Sequence, residues 1–257
     1  MKDFFFAAKQ CVLSFFRCVF SFAAGGTECV VCGAHSKFFP ICDLCKKECF
    51  ARISSYGEGR CTVCGKLLVS EHGMCMQCRR ERVLVHTDAV FPLFSYRLWN
   101  SVLLFCWKIN GVRALSPFFA ERLAAALKTL PPFEAVVPVP PRSGKIRKKG
   151  WDQIVELCEF LALRYKFSVC ALLVRESRDE QKTLSKSGRL GAIGNAYRMK
   201  TGKALKKALH ACGGSMPRTV CLIDDVMTTG ATIESCAAAL KGGGVETVHV
   251  ATLFIVD

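Results

Sequence analysis

Two adjacent carboxylates near the end of the 257-residue chain have the clearest potential for chemistry. Asp224 and Asp225 directly follow the apolar run Val220–Ile223 and precede a short loop of threonine, glycine and alanine residues. An apolar run of this kind predicts a buried strand, and open α/β sheets bind ligands at the carboxyl ends of their strands. The two carboxylates are therefore placed to accept hydrogen bonds from the hydroxyl groups of a sugar.

The loop after the carboxylates has the composition of an anion-binding site. Its backbone N–H groups and hydroxyls, together with the start of the helix that we expect after it, can donate to a phosphate. Gly230 has no side chain, so the backbone can approach the anion closely. A P-loop is excluded, because no Gly-Lys-Ser or Gly-Lys-Thr sequence occurs. The predicted sugar- and phosphate-binding segment comprises Asp224, Asp225, Val226, Met227, Thr228, Thr229, Gly230, Ala231 and Thr232.

Eight of the 17 cysteines form four Cys-x-x-Cys pairs between residues 29 and 78. A Cys-x-x-Cys turn can hold two thiolates at about 2.3 Å from a zinc ion, and two such turns complete a tetrahedral site. Gly33 and Gly65 follow the first and third pairs, where the turn needs a residue that tolerates positive φ. The predicted ligands of two structural zinc ions are Cys29, Cys32, Cys42, Cys45, Cys61, Cys64, Cys75 and Cys78.

Other uses of these pairs fit the sequence less well. A disulfide framework needs a secretory signal, and a thioredoxin-like site needs one pair beside a βαβ unit. Pairing of consecutive turns resembles a double zinc ribbon, whereas the spacing leaves an interleaved cross-brace as an alternative. Cys49 is out of step with the pairs, and we interpret it as a bystander thiol. The other eight cysteines are scattered through apolar stretches and are predicted to be ordinary thiols in the core.

The chain has a formal charge of +15, with 36 lysines and arginines against 21 aspartates and glutamates. This excess favours an anionic partner such as a phosphate, a nucleic acid or a lipid surface. A composition that is 51% hydrophobic and 22% charged excludes a disordered chain. The candidate contacts for pyrophosphate or a nucleic-acid backbone are Lys108, Arg142, Lys148, Lys149 and Arg189.

Each of these cations has an alternative interpretation. The loop at residues 142–149 carries five cations and could simply form a solvated surface. Its position after a predicted strand and before a predicted helix favours contact with pyrophosphate or with nucleic acid. Lys108 could instead extend along apolar surface, and Arg189 could pair with a nearby carboxylate.

Strand-like and helical patterns alternate from residue 86 onward, which predicts an α/β fold with a mostly parallel sheet and helices on both faces. The strand-like runs are 134–139, 169–174, 219–223 and 245–256. The predicted helices are 116–130 (with Ser116 as its N-cap), 154–165 and 233–240. The basic connector at residues 201–217 is interpreted as a surface loop.

The start of the chain, residues 4–24, is rich in phenylalanine but is interrupted by Lys9 and Arg17. No run reaches about 18 uncharged apolar residues, so a membrane-spanning helix is not predicted. We expect a helix that packs on the rest of the protein, with contact to an anionic lipid surface as the alternative. The predicted organisation is an apolar leader helix at 1–28, a small double zinc ribbon at 29–85 and an α/β domain at 86–257, in a cytoplasmic protein.

The segment from Val220 to Thr232 resembles the signature with which type I phosphoribosyltransferases bind 5-phosphoribosyl 1-pyrophosphate (PRPP). That signature is an apolar run, two acidic residues and a loop rich in threonine and glycine. The resemblance implies a type I phosphoribosyltransferase-like sheet. It also implies that Asp224 and Asp225 hold the ribose hydroxyls of PRPP and that the loop at 228–232 holds its 5-phosphate.

Three further stretches narrow the resemblance to the ComF/GntX-like competence proteins. Phe94-Ser95-Tyr96 followed by Trp107-Lys108 resembles the family's entry segment. Residues 137–153 resemble its proline-bracketed basic loop, although Trp-Asp stands where the family usually has Phe-Asn. Residues 181–197 resemble its segment of Gln, Leu-Ser, Arg, Asn and an aromatic residue. With the N-terminal cysteine pairs, the resemblance covers nearly the whole chain.

The resemblance implies a protein that binds PRPP with Mg²⁺ and is linked to the uptake of transforming DNA. In phosphoribosyl transfer, a nitrogen nucleophile replaces pyrophosphate at C1 of the ribose, and the protein supplies positioning and electrostatics. No selector for a base is recognisable in the sequence, so the acceptor is unidentified. The alternative is a non-catalytic module that binds single-stranded DNA, with a ligand-sensing or vestigial PRPP pocket. A third interpretation is interaction with DNA-uptake proteins through the zinc ribbons.

Overall fold

The computed structural model describes residue 16 and residues 27–36, 40–50, 59–96, 99–141, 150–176, 196–210 and 212–256. The predictions that lie outside these residues concern most of the leader at 1–28, the side chain of Cys49, Arg142, Lys148, Lys149 and Arg189. None of the helices within these ranges has the length and hydropathy of a membrane-spanning segment.

In its described residues the cysteine-rich segment contains two short strands and two helices, and a larger α/β unit follows it. The elements of the first part are β1 (Thr27–Glu28), β2 (His35–Ser36), α1 (Asp43–Phe50) and α2 (Met76–Arg80). The second part contains β3 (Ala89–Ser95), α3 (Trp99–Lys108), a 3-10 turn (Arg113–Leu115), α4 (Ser116–Leu127), β4 (Ala135–Pro138), α5 (Gln153–Tyr165), β5 (Leu173–Arg175), β6 (Tyr197–Met199), α6 (Gly202–His210), β7 (Thr219–Met227), α7 (Ala231–Gly242) and β8 (Thr247–Ile255).

Four parallel strands form the central sheet in the order β3-β8-β7-β4. Successive residues of β7 point to opposite faces, so that Cys221 and Ile223 lie in one hydrophobic core (the first core) while Val220 and Leu222 lie in the other (the second core). Helices α3, α4 and α5 cover the face of Cys221, and α7 with the antiparallel β5–β6 pair covers the opposite face. The predicted α/β fold, with helices on both faces of a parallel sheet, is confirmed.

Two of the helices beside the sheet, α4 and α5, begin in different ways. Asp152 caps α5, because its carboxylate accepts hydrogen bonds from the N–H groups of the second and third helical residues, at 3.0 and 3.2 Å. The prediction that Ser116 caps α4 is wrong, since a 3-10 turn runs directly into the helix and Ser116 is already its first residue. The buried Ser116 hydroxyl instead accepts from the indole of Trp107 (2.9 Å) and donates to Glu156 (2.7 Å). The serine therefore joins α3, α4 and α5.

Two further predictions need correction. Residues 201–217 are not simply a surface loop, because they contain α6, whose Ala208 is buried against the second core. Cys170 and Cys212 are not free thiols but form a disulfide, with their Cα atoms 6.1 Å apart, because the turn after α6 returns the chain to the edge of the sheet. The free cysteines described outside the paired segment are the buried Cys158, Cys221 and Cys236 and the half-buried Cys106.

The cysteine-rich segment packs directly against the α/β unit. Phe50, at the end of α1, is fully buried, and its ring contacts Phe94 and Phe118 edge-on with centroid separations of 5.4 and 5.2 Å. Further along the segment, a methyl group added at Gly65 would clash with the backbone and with Pro92 of β3. Both halves of the segment therefore contact the α/β unit.

Candidate functional site

The two adjacent carboxylates lie inside β7 rather than after it. The sequence predicts a strand that ends at Ile223, but β7 pairs with β8 as far as Met227. Asp224 is 9% exposed and Asp225 is 5% exposed, so both residues are buried at the carboxyl end of the sheet. The extended pairing with β8 gives these carboxylates a fixed backbone position.

Asp225 has partners at the ends of two helices. Its Oδ2 atom lies 2.7 Å from Nζ of Lys108, the last residue of α3. The same oxygen accepts a hydrogen bond of 2.5 Å from Nε2 of Gln153, the first residue of α5. The structure therefore brings Lys108, a predicted pyrophosphate or nucleic-acid contact, to the acidic pair, where its ammonium group offsets part of the negative charge.

Asp224 is the less stabilised carboxylate of the pair. Burial and the negative charge of Asp225 raise the pKa of Asp224 to about 7. The backbone N–H of Asp225, 2.8 Å from Oδ1 of Asp224, and the charge of Lys108 oppose this rise. A ligand that donates hydrogen bonds, or a cation close by, would favour the ionised form of Asp224.

A cleft of about 510 Å³ opens above the acidic pair. The ends of α3 and α5 form part of its wall, and Arg175, Tyr197 and Thr232 form another part. The guanidinium of Arg175 lies 5.2 Å from the ring centroid of Tyr197, and the side chain of Lys108 is 35% exposed. The cleft has the size of a small-molecule site, with an acidic floor and cations on its walls.

The loop after β7 has the geometry of an anion site. Gly230 has a φ of 84°, which is the left-handed conformation that glycine adopts most readily, and it directly precedes α7. Thr228, Thr229 and Thr232 are exposed, whereas Gly230 is buried. Within the described ranges, the N–H groups of these four residues have no hydrogen-bond acceptor. Unpaired N–H groups at the start of a helix are suited to a phosphate.

The predicted binding residues are divided between two neighbouring spaces. Asp224, Asp225, Val226 and Thr232 line the main cleft. Thr228 and Thr229 line a separate gap of about 30 Å³ that faces the cysteine-rich segment. The side chain of Met227 is buried in the second core, so Met227 contributes its backbone to the segment.

Sequence reasoning missed several residues that the fold brings to the cleft. Gln153 contacts Asp225, and Asp152 and Arg175 line the wall. Gln153 and Asp152 lie in the segment that resembles the proline-bracketed loop. Their position directly before a predicted helix could have indicated that they belong to the cleft. Arg175 had a weaker signal, which was its position directly after a strand-like run.

The paired cysteines form two groups of four. Within each group the four sulfur atoms lie within 4.8 Å of one another, and the groups are Cys29, Cys32, Cys42 and Cys45, then Cys61, Cys64, Cys75 and Cys78. Consecutive turns therefore pair, and the cross-brace alternative is excluded. The N–H groups of Gly33 and Gly65 donate to the carbonyl oxygens of Cys29 and Cys61 at 2.8 and 2.9 Å. Both glycines have a φ of 72°, which confirms the prediction of a positive φ at these two positions.

The electrostatics of both clusters suit a divalent cation. Burial opposes ionisation of Cys29 and Cys61, but backbone N–H donors outweigh it and lower their pKa to about 6 and about 7. Burial and the neighbouring sulfurs raise the pKa of Cys64, and they raise that of Cys78 to about 12. A Zn²⁺ ion would remove the repulsion that limits ionisation of all four thiols. Each cluster could hold one structural zinc ion.

These features together define a class of protein. The parallel sheet, with an acidic pair and a threonine- and glycine-rich loop at its carboxyl edge, fits a phosphoribosyltransferase-like fold. The two four-cysteine clusters that precede it fit a double zinc ribbon.

The chain is 28% identical over 215 residues to the competence protein ComFC of Streptococcus pneumoniae strain R6. The match covers 82% of this chain and 86% of that protein. No protein-family model matches the sequence. The resemblance to the ComF/GntX-like competence proteins, inferred above from short motifs, is thereby confirmed.

We expect Asp224→Asn to stabilise the protein more at high pH than at low pH. Folding raises the pKa of Asp224, so the folded state binds this proton more tightly than the unfolded chain. Wild-type stability should therefore fall as the pH rises toward about 7, because the unfolded chain then gives up its proton more readily. The advantage of the variant should grow by about 2 kcal/mol between about pH 5.5 and about pH 8, at about 1.4 kcal/mol per pKa unit.

Urea denaturation midpoints across this range measure the effect. Asp43→Asn, at an exposed aspartate on α1, is measured alongside as the matched control for the exchange of an aspartate for an asparagine. A stability difference between Asp224→Asn and the wild type that is independent of pH would contradict the assignment of the raised pKa to Asp224.

We expect the purified protein to contain two zinc ions per chain. Cys32→Ser and Cys78→Ser each remove one ligand from a different cluster and should each lower the content by one zinc, because a structural site needs all four ligands. Elemental analysis by mass spectrometry measures this stoichiometry. Cys236→Ser, which alters a buried cysteine outside the clusters, should retain both ions. Full zinc content in both cluster variants would contradict the prediction.

Proposed function

We propose that the protein binds PRPP with Mg²⁺ above Asp224 and Asp225 and transfers the phosphoribosyl group to a nitrogen nucleophile, in a competence-related role. One observation carries the proposal: two buried carboxylates lie near the carboxyl end of a central strand, and a loop with unpaired N–H groups follows that strand. A single segment thus offers acceptors for sugar hydroxyls beside donors for a phosphate. The similarity to ComFC supports the competence-related role.

Each part of the cleft has a task in binding PRPP. Asp224 and Asp225 accept hydrogen bonds from the ribose hydroxyls, and the N–H groups at 228–232 hold the 5-phosphate. Lys108 and Arg175 offset the negative charge of the pyrophosphate group. When bound with PRPP, Mg²⁺ supplies counter-charge to the pyrophosphate. The oxygen-rich acidic floor suits this hard cation.

The transfer exchanges one bond at C1 of the ribose for another. The C1–O bond to pyrophosphate breaks with its electron pair leaving on oxygen, and the acceptor nitrogen bonds to C1 and releases a proton. Positive charge develops on the sugar ring in the process. The two carboxylates at the floor stabilise that charge without rearranging, since β7 and their partners fix them in place.

We expect Asp224→Asn and Asp225→Asn each to weaken PRPP binding by about tenfold or more, the effect of losing one charge-assisted hydrogen bond. Isothermal titration with PRPP and Mg²⁺ measures the affinity. Asp43→Asn, at an exposed position on α1, should bind as the wild type does. Absence of PRPP binding by the wild-type protein would exclude the proposed function.

A second candidate function is the binding of single-stranded DNA, and α6 is the observation that favours it. Lys203, Lys206 and Lys207 are exposed on this nine-residue helix. Within the described part of the chain, no carboxylate pairs with these three lysines. Burial, and after it the positive charge of Lys207, lower the pKa of nearby Lys200.

The surface of α6 fits a phosphate backbone better than a lipid bilayer. Leu205 and Leu209 are half-buried and pack against the second core, and Ala208 is buried. The outward face therefore offers charge without an apolar stripe, whereas a helix that lies in a membrane interface needs both. A sequence-independent nucleic-acid contact needs charge alone.

We expect the triple variant Lys203→Glu, Lys206→Glu and Lys207→Glu to bind oligo(dT) at least about tenfold more weakly at physiological salt. The slope of log affinity against log salt should fall by about 2, because each lost phosphate contact in a single strand contributes about 0.7. Fluorescence anisotropy over a salt series measures both quantities.

The control triple variant changes the charge equally at exposed cations on other surfaces: Lys47→Glu, Lys128→Glu and Arg164→Glu. It should retain most of the affinity. Equal losses of oligo(dT) affinity in the two triple variants would show that α6 is not the DNA-binding surface. Absence of DNA binding by the wild type would exclude this second function.

A further inference from the structure

We propose that the second four-cysteine cluster completes the phosphate site, and that Glu234 and Leu84 are the positioning residues through which it acts. The inference rests on the proposed binding of a 5-phosphate at the loop 228–232. It assigns to the cysteine-rich segment a part in ligand binding beyond its own stability. Three observations carry it: the first two are contacts between the chain that leaves this cluster and the start of α7, and the third is the position of the cluster beside the loop.

The first contact is made by Glu234, in the first turn of α7. Its carboxylate accepts hydrogen bonds from the backbone N–H groups of Val85 (2.9 Å) and His86 (3.0 Å), and it lies 2.5 Å from Nδ1 of His86. The N–H of Glu234 in turn donates to the carbonyl oxygen of Gly230 at 2.9 Å. Glu234 therefore joins the linker at 81–88 to the glycine of the phosphate loop.

The second contact lies directly on the loop. Leu84 is 4% exposed and packs over Gly230, so closely that a methyl group added to Gly230 would lie 2.9 Å from Cδ2 of Leu84. An apolar side chain of the linker therefore covers the loop at Gly230, while Thr232, at the end of the loop, lines the cleft. Removing Leu84 would free the backbone of Gly230 to move away from the position that its N–H needs.

The third observation places the second cluster beside the loop and against the sheet. Cys64, Lys66 and Cys78 line the gap of about 30 Å³ together with Thr228 and Thr229 of the loop. A space of this volume holds little more than one or two water molecules, so the cluster and the loop are close neighbours. The turn at Gly65 is seated against β3 without room for a methyl group. The cluster thus acts as a rigid support behind the loop.

If Glu234 and Leu84 position the phosphate loop, their removal should weaken the binding of ligands that use the loop and spare ligands that do not. Ribose 5-phosphate uses the phosphate loop, whereas pyrophosphate with Mg²⁺ uses the cleft and not the loop. We expect Glu234→Ala and Leu84→Ala each to weaken binding of ribose 5-phosphate by about tenfold while leaving pyrophosphate–Mg²⁺ within about twofold. Glu246→Ala, at an exposed glutamate that pairs with Arg218, is the matched control and should leave both affinities unchanged.

Hydrogen–deuterium exchange of the peptide at 230–236 tests the contacts without any ligand. Exchange there should become faster in Glu234→Ala and in Leu84→Ala than in Glu246→Ala, because the first turn of α7 loses its support. Equal weakening of both ligands would show a general structural defect and overturn the inference, as would unchanged exchange and affinity. If the wild type binds neither ligand, the proposed function fails, and the exchange rates alone then decide whether the linker holds the loop.

The two cysteine clusters provide a comparison within one protein. Cys78→Ser, with its zinc content measured, should reproduce the faster exchange at 230–236 and the selective loss of ribose 5-phosphate affinity. Cys32→Ser alters the first cluster, which packs on Phe94 and Phe118 through Phe50, and should leave both readouts unchanged. Equal effects of the two substitutions would overturn the assignment to the second cluster.

Discussion

The burial of two adjacent carboxylates in one strand is the constraint on which the rest of the structure depends. An ionised carboxylate inside a protein is costly unless opposite charge and hydrogen-bond donors surround it. Asp225 has both, from Lys108 and Gln153, whereas Asp224 has a backbone N–H and a raised pKa. Because these partners are a last and a first helical residue, α3 must end and α5 must begin at the carboxyl edge of the sheet. A buried network then fixes that meeting point: the carboxylate of Glu156 accepts from Ser116 and pairs with Arg113, and Ser116 accepts from Trp107, the neighbour of Lys108.

The sequence was sufficient to predict the fold class, the two cysteine clusters and the position of the acidic pair at the carboxyl edge of the sheet. The alternation of apolar runs and helical periods predicted the parallel sheet, and the Cys-x-x-Cys spacing with Gly33 and Gly65 predicted both turns of the clusters correctly. These features succeed because they are local, and each is specified by a few neighbouring residues. The extension of β7 through the carboxylates was missed, since Asp is unfavourable in an isolated strand and only the pairing with β8 supports it there.

The remaining errors concern contacts between residues far apart in the chain. Ser116 followed by proline is typical of a helix start, but a serine buried beside Trp107 and Glu156 forms stronger contacts there than at a cap. The disulfide between Cys170 and Cys212 spans 42 residues, so no local pattern could indicate it. The same holds for Glu234, which resembles an ordinary first-turn acid in the sequence, although its hydrogen bonds reach residues 85 and 86. Sequence patterns identify which groups can do chemistry, while tertiary packing decides which groups hold them in position.

The distribution of charge in the cleft determines how a ligand can lie in it. The floor carries two carboxylates against one lysine, so an anionic group cannot approach it without a cation, whereas hydroxyl groups can donate to it directly. Anionic groups are favoured at the walls, near Arg175, and at the N–H groups of the loop. A ligand with neutral hydroxyls at its centre and phosphates at both ends satisfies this arrangement, and a continuous phosphate backbone does not. The net charge of +15 therefore does not make the cleft a general polyanion site, and a nucleic acid would have to use a different surface, such as the lysines of α6.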